Sequence, residues 1–203
     1  MTKIQKLAYG LIGIIIKYHD SQNVEERVID AFAKKNHLER KAAEEKIISD
    51  TFALKQDQLK GFLTNLIEGC TANYQERKDY LNYILNTVLF IYECCSRKNA
   101  FEPEELNRIE LQLNQLFHDF RLLLTTNKGT PCQVHNLSTC SLSKEYQDIK
   151  NLTGLLDYVG YYYTRSGNFL NTEVMQVFKI GKNTHEEDIA ATAKLMCLEL
   201  QTP

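Results

Sequence analysis

The chain has 203 residues, 25% charged and 43% hydrophobic, with 24 basic side chains against 26 acidic ones, 3 Pro, 9 Gly and 6 Cys. No single-sign surplus and no Gly/Pro excess keeps it unfolded, and at this length folding removes roughly 70% of the unfolded surface from water, enough for a core without disulfide or metal staples. A net charge of −2 also excludes a generally basic nucleic-acid binder, whose affinity rests on clustered Lys and Arg; the densest basic stretches, Lys34-Lys35 and Arg40-Lys41, are answered by Glu39, Glu44 and Glu45.

Hydrophobic spacing orders the chain. Ile4, Leu7, Leu11, Ile14 and Tyr18 recur at helical intervals, and Ile12, Ile15 and Ile16 fill the other sides. This predicts a first helix buried nearly all round, with a strand through Leu11–Ile16 as the alternative for so β-branched a run. Lys3 and Lys6 ahead of Leu7–Ile16 imitate the start of a signal peptide, but Lys17-Tyr18-His19-Asp20 offers no small-residue processing site. The run also falls far short of the roughly 20 residues that a membrane span takes. Asn23 with Glu26 three residues on reads as a capping box for a helix over about 24–35, and a charged, peripheral helix follows from Glu39 to about Thr51.

Leu59, Phe62, Leu63, Leu66, Ile67 and Cys70 match the amphipathic-helix template without a miss. From Asp79 to Cys95 almost every residue is apolar or aromatic, which predicts the central core helix. Pro103 suits a first helical turn, with Glu104 and Glu105 near the positive end of the dipole. Leu106, Ile109, Leu113, Leu116, Phe120 and Leu123 then form a seam about 25 Å long at 1.5 Å per residue. The stretch Thr125 to Ser143 is rich in Thr, Asn, Gly, Pro and Ser and reads as the longest loop. A helix is expected over about 143–165, a turn at Ser166-Gly167-Asn168, and either a short strand or a helix fragment near 173–180. Thr184 with Glu187 is expected to cap a last helix with the seam Ile189, Ala193, Met196 and Leu200.

The fold class expected is therefore mainly α, a bundle of about seven or eight helices with room for one short β element. A helical core over 1–128, a loop over 129–142 and a C-terminal helical part over 143–203 packing on the same core would make one domain.

Three constellations suggest chemistry. His118-Asp119 lies in a helix and resembles the His-Asp pair of HD-type metal-dependent phosphohydrolases, where imidazole and carboxylate hold a divalent metal that activates water. The resemblance is limited to that pair: the upstream His could come only from the distant His37 or His19, and His19-Asp20 repeats the dipeptide. Cys132, His135 and Cys140 carry zinc-ligating groups in the polar loop, but a structural site takes four ligands and these are three, without the paired C-x2-C spacing. Cys94-Cys95, with Arg97 and Lys98 beside it, has the elements of a reactive thiol, yet the pair ends an apolar helix where cysteine is ordinarily a small buried hydrophobe. Walker A, GxGxxG, G-x-S-x-G and H-E-x-x-H patterns are absent.

Tyr158, Tyr161, Tyr162 and Tyr163, followed by Arg165, cannot all share one helix face, because successive residues diverge by about 100°. Tyr and Arg dominate interface hot spots, so Tyr158, Tyr161, Tyr162 and Arg165 are the candidate partner-binding residues. The function expected is non-catalytic: a protein–protein interaction module without cofactor or metal, either an adaptor or chaperone-like subunit of an assembly such as a bacterial secretion system, or a virulence effector. The competing expectation is the hydrolase centred on His118 and Asp119. The partner is expected to be another protein rather than nucleic acid, with no membrane span, and cysteines set in apolar helices suit a reducing, cytoplasmic setting.

Overall fold

In the computed structural model of the protein, residues 1–23, 25–70, 75–126 and 183–201 are described, with backbone alone at 21–22, 75–80, 83 and 119–126. Among them are seven α-helices and no strand: α1 (Lys3–Gln22), α2 (Val28–Asn36), α3 (Arg40–Phe52), α4 (Gln56–Glu68), α5 (Gln75–Ser96), α6 (Pro103–Thr126) and α7 (Glu186–Glu199). The mainly α architecture is thus the one the periodicity predicts. The loop at 129–142, the helix expected over 143–165 and the element near 173–180 lie outside the described residues. The chain divides into two compact units, one of Met1 with Gln5–Ser96 and one of Thr2–Ile4 with Arg97–Pro203.

In the first unit the isoleucine-rich run is helix throughout. Leu7, Ala8, Leu11, Ile12, Ile14, Ile15, Ile16 and Tyr18 are all buried, and at 100° per residue they cover somewhat more than half of the circumference, with Lys6 exposed and Tyr9, Gly10 and Lys17 half-buried on the remaining side. A β-branched residue costs a helix less than about 0.7 kcal/mol, whereas burying its side chain contributes about 1.5–3 kcal/mol, so burial decides the conformation. Helix α2 packs on α3, α4 on α5, and α3 also touches α4. Tyr9, Phe52 and Tyr92 meet edge to face, with ring centroids 5.3 and 5.5 Å apart. The Tyr92 hydroxyl donates to the Leu54 carbonyl at 2.8 Å, which closes the turn between α3 and α4. Lys17 pairs with Glu44 from α3. Between α2 and α3 the chain turns through His37, whose backbone is left-handed (φ 54°, ψ 44°).

Helix α5 differs from the sequence expectation. It buries Leu81, Ile84, Leu85, Val88, Ile91 and Cys94, while Leu89, Phe90 and Tyr92 are only half-buried and Asn82, Asn86 and Glu93 exposed. A one-sided helix of this kind is not the centre of a bundle; α1 is buried over the broader face.

The joint between α1 and α2 also departs from the expected cap. The residue before α2 is Arg27, which offers no side-chain cap. The first amides of α2 are taken instead by Asp20, eight and nine residues upstream: the Val28 N–H donates to Oδ1 at 2.6 Å and the Ile29 N–H to Oδ2 at 3.0 Å. Asn23, expected to open α2, ends α1: its N–H donates to the His19 carbonyl at 3.0 Å, and its side-chain amide donates to the carbonyls of His19 and Gly69. A carboxylate at a helix N-terminus satisfies orphan amides and the dipole together, and a buried one does so without competition from water.

In the second unit α6 packs along α7. The two run antiparallel, since His118 meets Glu186 at one end and Cys197 lies beside the Leu106 carbonyl at the other. Helix α6 buries Ile109, Leu113, Leu116 and Phe117, and α7 buries Ile189, Ala193, Met196 and Cys197. Pro103 is the first residue of α6, as expected. Glu105 accepts from the Arg97 guanidinium at 2.8 Å and from the Glu102 N–H at 2.9 Å. Those bonds, the Arg97 one first, hold the Glu105 carboxyl below the usual range. The cap of α7 is shifted by one residue, with Asp188 accepting the His185 N–H at 3.2 Å. Glu199 at the end of α7 accepts the Lys3 N–H at 3.0 Å. No helix among the described residues is long and apolar enough to cross a membrane.

Candidate functional site

His118 sits on α6 with its side chain about a third exposed, and its Nδ1 lies 3.2 Å from Oε2 of Glu186 in the first turn of α7. A carboxylate on one imidazole nitrogen fixes the tautomer and ring plane, here of a side chain that ties two helices together. The side chain of Asp119 lies outside the described residues. Of the histidines weighed as an upstream ligand, His37 is exposed in the turn after α2 and His19 is buried at the end of α1. His19 Nδ1 lies 3.5 Å from Asp20 Oδ1 without a directed hydrogen bond, and both oxygens of that carboxylate accept amides of α2. No group of three or more His, Cys, Asp and Glu among the described residues could hold a metal ion.

The cysteines near the end of α5 do not have the surroundings of a nucleophile. Cys94 is buried, and burial pushes the Cys95 thiol up to about 11, whereas a reactive cysteine is stabilised as the thiolate. Of the two cations that the sequence placed nearby, Arg97 is engaged elsewhere: it pairs with Glu105 and lies 4.6 Å from the centre of the Phe101 ring. Cys132, His135 and Cys140 lie outside the described residues, as do Tyr158, Tyr161, Tyr162 and Arg165.

One surface feature escaped the sequence reading. Beyond its buried face, α7 exposes Ala190, Ala191, Leu195 and Leu198, with Leu195 55% and Leu198 48% accessible. Ala191, Leu195 and Leu198 follow one another at four and three residues and therefore share one face. Glu187 precedes them and Lys194 flanks them, both exposed. A helix apolar on both faces is ordinarily enclosed; this one leaves its second apolar face to solvent. The signal was present in the sequence as Ala190, Ala191, Leu195 and Leu198, apolar residues outside the seam of Ile189, Ala193, Met196 and Leu200. Leu111 on α6 is 67% exposed, and a single such residue is ordinary on a protein surface. Comparison of the chain with protein-family models, with curated proteins and with solved structures finds no match in any of the three.

Proposed function

We propose that the protein is a non-catalytic interaction module that docks another protein on the outward face of α7. The supporting observation is the strip of Ala191, Leu195 and Leu198, apolar and exposed on a helix whose opposite face is already buried. Two half-exposed leucines contribute about 2–3 kcal/mol when a partner covers them, well below the about 8 kcal/mol of a micromolar complex. The remainder is assigned to Tyr158, Tyr161, Tyr162 and Arg165, whose residue types carry most binding energy at interfaces. Within this reading the chain is an adaptor or chaperone-like subunit of a larger assembly, such as a bacterial secretion system, or a virulence effector, and it works in the cytoplasm.

The test is parallel capture with the tagged wild-type chain, Leu195→Asp/Leu198→Asp and Tyr161→Ala/Arg165→Ala, with helical circular dichroism confirming that each variant is folded. A stoichiometric partner retained by the wild type and lost from both variants is the expected result. Retention by both variants overturns the assignment of the surface. A chain that captures nothing but carries a divalent metal, lost on His118→Ala, supports the hydrolase instead.

A further inference from the structure

We draw no further inference here: the strongest candidate, the outward apolar strip of α7 formed by Ala191, Leu195 and Leu198, belongs to the surface already described, and nothing in the structure shows what covers it.

Discussion

Replacing Asp20 removes a helix cap that lies eight residues from the helix it serves. Its side chain is 1% exposed and accepts the Val28 and Ile29 amides at 2.6 and 3.0 Å. A hydrogen bond to a charged group contributes about 1.5–3 kcal/mol net, and a buried donor left without a partner costs about 1–3 kcal/mol. The Ile29 amide is buried and has no water to turn to, while the Val28 amide is only partly buried and recovers some of its loss by hydration. Asp20→Ala is therefore expected to cost about 3–4 kcal/mol, against about 1 kcal/mol for an ordinary N-cap. Asp20→Asn keeps one acceptor oxygen and should cost about half as much. The control is Glu26→Ala, which would cost about 1 kcal/mol if the Asn23–Glu26 capping box formed. With the exposed Glu26 outside the cap, it should stay within about 0.5 kcal/mol. Urea unfolding at constant m-value measures the loss, and amide hydrogen exchange at Val28 and Ile29 locates it. A cost below about 1 kcal/mol for Asp20→Ala, or unchanged exchange at those two amides, would refute the long-range cap.

The same substitution at two glycines should act in opposite directions. A Cβ on Gly61, inside α4, meets nothing within 4 Å, so Gly61→Ala should stabilise by about 0.5–1 kcal/mol. A Cβ on Gly69 would lie 3.2 Å from the Asn65 carbonyl and 3.3 Å from Nε2 of the buried His19, so Gly69→Ala should cost about 1 kcal/mol; thermal melts that rank the two alike would contradict the packing. His37 holds a left-handed backbone, so His37→Gly should relieve strain and raise stability by about 1 kcal/mol, and a loss of stability would mean that the imidazole contributes more than the strain costs. Burial raises the Cys95 and Cys197 thiols to about 11, which leaves about 0.1% thiolate at pH 8. Both should alkylate far more slowly in the native chain than in urea, and fast native labelling would refute the burial. Because the folded chain holds these protons longer than the unfolded one, their contribution is complete below about pH 9 and is lost as pH rises towards about 11, so alkaline melts should fall more steeply for the wild type than for Cys95→Ala.

Where one face of a helix is apolar and the other charged, spacing alone was enough. Leu59, Leu63, Leu66 and Ile67 in α4 and Ile109, Leu113 and Leu116 in α6 are buried as their 3–4 repeat requires. Where apolar residues surround a helix, spacing loses its phase. It could not separate α1, buried over the broader face, from α5, which leaves Leu89 and Phe90 half-buried, because that difference lies in the neighbours and not in the residues. The outer strip of α7 was missed because the seam of Ile189, Ala193, Met196 and Leu200 already accounted for the helix, and the exposure of Leu195 and Leu198 depends on what the neighbours leave uncovered.

The candidate chemistry divides along the same line. Residue types and their intervals were visible for His118-Asp119 and Cys94-Cys95, but the Glu186 carboxylate beside His118 and the burial that protonates Cys95 come from residues or surfaces distant in the chain. Caps show the limit most clearly. Asn23 and Glu26 satisfy the local capping pattern, yet α2 starts at Val28, beyond their reach, and its first amides go to the buried Asp20 carboxylate at the end of α1. Helical periodicity and transfer free energy act within one segment, so the mainly helical class and the residues that the amphipathic helices bury were legible from spacing alone. Which helix is the more deeply buried, which carboxylate closes which helix and which apolar face is left to solvent each depend on what another segment brings against it, and no local pattern carries that.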